Sequence, residues 1–390
     1  MSIIYLDNAA TTPVDPRVKE AMLPWLSENW GNASSVHSPG RKAKVMIEDT
    51  RDMFAAFIGA RSSEIYFTSG GTEAINFAIK GSAFHNIGRK SHIIASSIEH
   101  SAVIDTLEYL KKRFAFEVTY LQTDRFGKVN TEEFENAIKP STFLACIMHS
   151  NNELGIINDI PHLAGISASK NITFFSDAVQ SLGKTTVNMG MFNCGLASFS
   201  GHKIYGPKGI GILYIKKNTN VDKFMHGGKQ ERDKRGGTEN TAAIAGFAKA
   251  VEIIKDEMPD DLLKYKSLRT LLISLVKGSF GDKIIINSVT SEKENTGSAN
   301  AFLPNIINLS FEPDKVNIDA DTLLIKLDMK HIAVSSGSAC TSGSVQPSHV
   351  LKAIGYDDKT ARSSLRISFG RFNTENDIKA LVNSLKEILN

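Results

Sequence analysis

The chain has 390 residues, 42% hydrophobic and 22% charged, which is enough apolar material for the cores of two or three domains. A formal net charge of +3 gives no electrostatic case for binding nucleic acid or an anionic membrane, and no apolar run approaches the length of a membrane span. Three cysteines (Cys146, Cys194, Cys340), odd in number and without metal-ligand spacing, fit a reducing cytoplasm and argue against a disulfide framework or metal centre; Met1-Ser2-Ile3-Ile4-Tyr5 lacks the basic start of a secretory leader.

In chain order, a short strand is expected over 3–6, then the small polar run Asp7-Asn8-Ala9-Ala10-Thr11-Thr12-Pro13, then a helix starting at Asp15-Pro16 and reaching about 26. Gly31-Asn32-Ala33-Ser34-Ser35 reads as a loop. The spacing of Val45, Ile47, Met53, Phe54 and Phe57 predicts a helix over 40–57. Strands over 64–68, 92–96, 116–121, 142–148 and 172–175 then alternate with helices over 72–80, 101–112, 131–138 and 160–169. A further strand is expected over 209–215. That alternation predicts an α/β domain with a mostly parallel sheet, whose ligands sit at the carboxyl ends of the strands. A helix over 241–257 is expected to end at Met258-Pro259-Asp260-Asp261, where the domain boundary falls. Residues 16–258 then form the large domain. Residues 1–15 and 259–390 form a smaller α+β domain, with helices over 262–276 and 320–327, strands near Ile284 and Ile306 and over 365–369, and a terminal amphipathic helix.

The chemistry centres on Ser200-Gly201-His202-Lys203-Ile204-Tyr205-Gly206-Pro207. A lysine at a Gly/Pro turn can be held facing a cleft, and an amine in a partly dry pocket loses its proton and becomes a nucleophile toward carbonyls. Ser200 and His202 beside it offer phosphate ligands, so Lys203 reads as the Schiff-base lysine of a pyridoxal 5'-phosphate (PLP) enzyme. Thr68-Ser69-Gly70-Gly71-Thr72-Glu73 joins a strand to a helix and is either a phosphate cradle or a capped helix start. Asp177 at a strand end either pairs with a pyridinium nitrogen or caps a helix; Gln180, one turn on, can reach a ring hydroxyl. His100 is either a stacking and proton-shuttling ring or structural, and Asn152 either a ligand amide or part of a turn. Cys340 lies in the polar, flexible run Ser335-Ser336-Gly337-Ser338-Ala339-Cys340-Thr341-Ser342-Gly343-Ser344, and reads as a nucleophile against the alternative of a passive surface thiol. Arg366, inside a strand-like pattern, is either a carboxylate clamp or an edge-strand arginine.

These runs, with Asn151-Asn152-Glu153-Leu154-Gly155 and Arg235-Gly236-Gly237-Thr238, resemble the cysteine desulfurases of iron–sulfur biogenesis, in the class V aminotransferase branch of fold-type I PLP enzymes. The resemblance covers nearly the whole chain. It implies a large domain with a mostly parallel seven-stranded sheet and a smaller α+β domain. It assigns Gly71, Thr72, Ser200 and His202 to the cofactor phosphate, Asp177 and Gln180 to its ring, and Lys203 to the Schiff base. His100 takes stacking and proton transfer, Asn152 and Arg366 the substrate carboxylate, Asn32 a substrate-pocket loop, and Cys340 the persulfide on a mobile loop. Thr238 would reach the phosphate of the neighbouring subunit, which implies a homodimer. Gly71 and Gly236 stand where the family often has Ala and Ser. The implied reaction takes sulfur from L-cysteine, leaves L-alanine, and hands the sulfur to an acceptor protein such as an iron–sulfur scaffold. Scaffold-docking members carry a longer tail than the one ending here at Asn390, which leaves the acceptor open. A class V aminotransferase would need no thiol, a selenocysteine lyase typically has a shorter cysteine loop, and a degenerate cofactor-free subunit would have lost Lys203, Asp177 or Cys340.

Overall fold

A computed structural model describes residues 3–290, 301–316, 318, 320–336 and 347–389. The elements run β1 (Ile4–Tyr5), α1 (Pro16–Ser27), α2 (Ser38–Phe57), β2 (Ile65–Thr68), α3 (Gly71–Asn86), β3 (His92–Ser96), α4 (Ser101–Phe114), β4 (Glu117–Leu121), α5 (Thr131–Asn136), β5 (Thr142–Cys146), α6 (Ile160–Ser169), β6 (Thr173–Asp177), α7 (Met189–Phe192), β7 (Leu196–Ser200) and β8 (Gly211–Ile215). Then come α8 (Thr241–Phe280), β9 (Ile284–Ile286), β10 (Ile306–Phe311), α9 (Ala320–Met329), β11 (Ile332–Ala333), α10 (His349–Ala353), α11 (Asp358–Arg362), β12 (Ser364–Ser368) and α12 (Glu375–Leu389).

Seven strands form the central sheet in the order β2-β8-β7-β6-β5-β3-β4. Strands β7, β6, β5, β3 and β4 pair in parallel, while β8 runs antiparallel to both β2 and β7. Successive residues feed opposite faces. Ile94, Ala145, Phe174 and Ala197 join one core, and Ile93, Leu144, Phe175 and Leu196 the other. Helices cover both faces, so these strands read as continuous apolar runs and not as alternating ones. The first parallel unit, β3–α4–β4, shows the local logic. His100 caps α4, its Nδ1 accepting from Ala102 N at 3.1 Å, and Lys111, Lys112 and Arg113 end the helix where its dipole favours cations.

A second sheet has the order β12-β10-β9, antiparallel throughout. Strand β1 pairs with β11, and Leu6 is buried in the core of this second region with Leu268, Leu309 and Ile367. Helix α8 does not end before Pro259, as its sequence suggests, but passes through it to Phe280. A mid-helix proline costs about 3 kcal/mol. Before it, Phe247, Val251 and Ile254 are buried in the central core; after it, Tyr265, Leu268, Leu272 and Val276 are buried in the second. Each contributes about 1.5–3 kcal/mol, so packing on two cores outweighs the break. Helix α3 runs to Asn86, six residues past the expected end at Lys80 (86 − 80). Small elements also differ: α7, α10, α11 and β11 have five residues or fewer, too few for periodicity to register. Among the described residues, no helix is long and apolar enough to cross a membrane.

Candidate active site

The carboxyl ends of β2, β3, β5, β6 and β7 converge on a cavity of about 360 Å³. Gly71, Thr72, His100, Asn152, Asp177, Gln180, Ser200, His202, Lys203 and Arg366 all line it, although they come from stretches up to 295 residues apart (366 − 71). The strand order of the central sheet brings most of them together, and β12 of the second sheet adds Arg366.

Lys203 ends a tight 3-10 turn, Gly201–Lys203, directly after β7. Its Nζ donates to Ala9 O at 2.6 Å and Ala10 O at 2.7 Å, which ties the N-terminal small-residue run to the lysine. Two residues on, Tyr205 adopts φ 62°, a left-handed backbone that costs a non-glycine residue about 1–3 kcal/mol. Its surroundings hold it there: Tyr205 N donates to Thr12 Oγ1 at 2.7 Å, and its hydroxyl meets the Tyr265 hydroxyl at 3.0 Å and accepts from Arg371 N at 2.7 Å. Burial, then the nearby Arg366 cation, brings the Lys203 pKa down to about 8 against the opposing pull of Asp177 and Asp7. The amine is therefore readily deprotonated near neutral pH.

At the phosphate end, helix α3 begins at Gly71 with no side-chain cap, which leaves its first N–H groups for an outside acceptor. A Cβ on Gly71 would come within 3.0 Å of Val179 Cγ2 and 3.6 Å of Ser200 Cβ. Ser200 Oγ beside it is buried with no hydrogen-bond partner. His202 Nδ1 meets Thr11 Oγ1 at 3.1 Å, and burial followed by Lys203 and Lys184 lowers the His202 pKa to about 4, so the ring is neutral at pH 7.

At the ring end, Asp177 Oδ1 accepts from Val179 N and from Ser198 Oγ, each at 3.0 Å. Asp177 thus acts as a turn cap while also lining the cavity; no helix follows, and Gln180 sits in a run of turns. Gln180 Nε2 donates to Ala9 O at 2.8 Å. Desolvation in the cleft lowers the His100 pKa, with Asp177 pulling the other way.

Arg366 is not on a free strand edge. Strand β10 flanks β12 on one side, and Ser335 bridges to Arg366 on the other. Its Nη2 donates to Asp7 Oδ1 at 2.8 Å and its Nη1 to Asn152 O at 3.2 Å, while the buried Nε has no partner.

Two expected residues lie elsewhere, and a third is not among the described residues. Asn32 is exposed in its loop, its Oδ1 accepting from Ser34 N at 2.8 Å. Thr238 is exposed at the end of the Arg235-Gly236-Gly237 run, away from the cavity wall of its own chain. Cys340 lies outside the described residues.

Sequence reading passed over several partners. Glu73 holds Arg235 by a two-pronged pair at 2.7 and 3.0 Å, fixing the segment that leads to Thr238 against the head of α3. Glu99, next to His100, is fully buried. Its Oε1 accepts from Ser96 Oγ and from Met148 N (2.7 Å), its Oε2 has no partner, and burial raises its pKa to about 8. The carboxyl of Glu153 accepts from Ser348 Oγ at 2.6 Å, and this serine caps α10. Asp7 was visible in the quoted N-terminal run, but nothing local announces its pairing with Arg366.

Overall, the cavity offers an amine of lowered pKa, an orphan hydroxyl beside free helix N–H groups, a carboxylate and a buried guanidinium. These fit a phosphorylated pyridine aldehyde: the helix start and Ser200 suit its phosphate, Asp177 its ring nitrogen and Lys203 its aldehyde. Among the described residues, no group of acidic, histidine or cysteine side chains is placed to hold a metal ion.

Comparison with known proteins agrees with this class of site. The family model "Aminotransferase class-V" matches residues 4–381. The chain is 42% identical over 386 residues to the protein named cysteine desulfurase IscS of Dictyoglomus turgidum, covering 99% of this chain and 94% of that one. A solved NifS-like protein superposes with a TM-score of 0.90 at 37% identity over 100% of this chain and 99% of the other. A structure titled SspA in complex with cysteine gives a TM-score of 0.81 at 36% identity, covering 95% and 99%. The chain belongs to the class-V aminotransferase family, in its cysteine desulfurase branch. The family is PLP-dependent.

Proposed function

We propose that the chain is a PLP-dependent cysteine desulfurase that converts L-cysteine to L-alanine and leaves the sulfur as a persulfide on Cys340. The observation that carries this reading is the meeting of Lys203, Asp177, Ser200 and Arg366 around one cavity, in a chain that also carries Cys340 in a serine- and glycine-rich run. When bound, PLP withdraws electrons from the amino-acid carbon skeleton and makes its C–S bond labile. Gly71, Thr72, Ser200 and His202 would hold its phosphate, Asp177 and Gln180 its ring, and Lys203 Nζ its aldehyde. Arg366 and Asn152 orient the substrate carboxylate, with Asn32 on a pocket loop.

Lys203 Nζ would take the proton from the substrate Cα; its lowered pKa lets the neutral amine do so near neutral pH. His100, on the cavity wall, would help hold the ring and move a proton at the substrate sulfur. The Cys340 thiolate attacks that sulfur. The S–S bond forms as the Cβ–S bond breaks, the electron pair stays with the carbon skeleton, and Cβ takes a proton while Lys203 Nζ returns one to Cα, giving alanine.

The working unit in this reading is a cytoplasmic homodimer in which Thr238 serves the neighbouring subunit's phosphate. The persulfide passes to an acceptor such as an iron–sulfur scaffold. The large domain is taken as 16–258 and the small domain as 1–15 with 259–390. The test is Cys340→Ala. This variant should keep the cofactor's visible absorption and its spectral response to L-cysteine, yet release almost no sulfide. Normal sulfide release from it would contradict the desulfurase reading and favour chemistry that needs no thiol.

A further inference from the structure

Lys184 is a buried charge that the reaction just described does not use. It lies in the turns after β6, seven residues beyond Asp177, and is 5% exposed. Among the described residues, no carboxylate pairs with its ammonium, and its Nζ donates to Gln180 Oε1 at 3.2 Å. Burying a lysine without a carboxylate is costly, and a methionine or leucine would fill such a place more cheaply. The cost needs a return elsewhere in the site.

The geometry points to that return. In its charged form a lysine ammonium has only donors, so the atom of the Gln180 amide facing it in that form is the oxygen. That leaves the amide NH2 for the other side, where Nε2 donates to Ala9 O at 2.8 Å. The same carbonyl accepts from Lys203 Nζ at 2.6 Å. The order Lys184, Gln180, Ala9, Lys203 is therefore one connected chain of hydrogen bonds along the cavity wall.

We propose that Lys184 is a positioning residue that fixes the Gln180 amide with its NH2, and never its oxygen, offered to the cavity. This rests on the reading of Gln180 as a ligand of the cofactor's ring oxygen: a ring phenolate needs a donor, and a flipped amide would present it with a second acceptor. Burial, followed by Lys203, lowers the Lys184 pKa to about 7, so a negative oxygen bound on the far side of Gln180 would favour its charged form.

The test uses the full chain stripped of cofactor and titrated with PLP, reading both the dissociation constant and the position of the visible band. Lys184→Met and Gln180→Leu should each weaken PLP binding about tenfold and shift the band, with thermal stability of the cofactor-free protein unchanged or raised. The double variant should be no weaker than either single, because both remove one interaction. Lys184→Gln, which can offer its partner either end of an amide, should fall between Lys184→Met and the unaltered chain; it also serves if Lys184→Met does not fold. Unaltered binding and band in Lys184→Met, with Gln180→Leu still impaired, overturns the proposal and leaves the site reading standing. Fully additive losses in the double variant overturn it too. No effect from Gln180→Leu overturns the reading of Gln180, and the proposal with it.

Discussion

Two clusters of charged side chains are treated in opposite ways by this fold. Around Arg371 every charge has a partner. Its guanidinium meets Asp15 at 3.2 Å, Glu257 at 3.0 Å and Asp261 at 2.8 Å, and Arg17 holds Asp15 at 2.8 Å and Glu257 at 2.5 Å. The hydrogen bonds from Arg17 hold the Asp15 carboxyl down at about 2, and Asp15 and Glu257 in turn push the Arg17 guanidinium up. These residues straddle Pro259 of α8, with Glu257 before it and Asp261 after it, and fasten both sides to the start of α1 and the loop after β12. Asp261 departs from this pattern, burial pushing its carboxyl up against the pull of Arg371. Around the cavity the shifts run toward neutrality. Lys203 falls to about 8, Lys184 to about 7 and His202 to about 4, while Glu99 rises to about 8, in each case chiefly through burial. Paired groups whose charge is reinforced hold elements together. Groups stripped of water beside a cavity can exchange protons, and that is where chemistry is expected.

Variants at each cluster can break this contrast. The largest expected effect is that of Lys203→Ala, which should lower turnover about 10⁴-fold through loss of its proton transfer and tether. Its unfolding midpoint should not fall, since a half-buried amine is removed. A large loss of stability instead would place Lys203 with the structural charges. Arg371→Met should do the reverse. Asp15 and Asp261 would lose a buried partner at about 3 kcal/mol of stability in urea unfolding, with turnover of the folded protein within about twofold. The third effect is one of pH. The neutral Lys203 amine is the form that attacks an aldehyde, and it gains population as pH rises through about 8. PLP capture by the cofactor-free protein should therefore quicken about tenfold from pH 7 to 9 and then level off. A rate still climbing steeply above pH 10 would mean the amine is not perturbed.

The smallest effect sharpens the rule. Cys146 in β5 is fully buried, and burial raises its thiol pKa well above the usual value, yet it does not line the cavity. Neutrality without access should carry no chemistry, so Cys146→Ala should cost about 1 kcal/mol of packing and leave turnover within about twofold.

Much of the framework was legible because it is local. The alternation that defines β3, β5, α6 and β6 sits in runs of five to ten residues, and the glycines around Lys203 mark its turn without reference to anything distant. Contacts across the fold were not legible. Asp7 meets Arg366 across 359 residues, Glu73 meets Arg235 across 162, and both depend on strand order that no local pattern records. Gln180 was expected one helical turn after Asp177, but Asp177 caps a turn and the chain coils directly to Lys184. The proline in α8 misled for a related reason: propensity weighs one residue, whereas the helix is held by two cores that only the tertiary structure supplies.

The measurement that bears most directly on the desulfurase reading is the intact mass of the PLP-loaded protein after brief exposure to L-cysteine, followed by peptide mapping under non-reducing conditions. The account predicts a gain of one sulfur atom, on the peptide containing Cys340, removed by reducing agent and missing in Cys340→Ala. Added sulfur on Cys146 or Cys194 alone, or sulfide and alanine formed in full with Cys340 unmodified throughout, would contradict it.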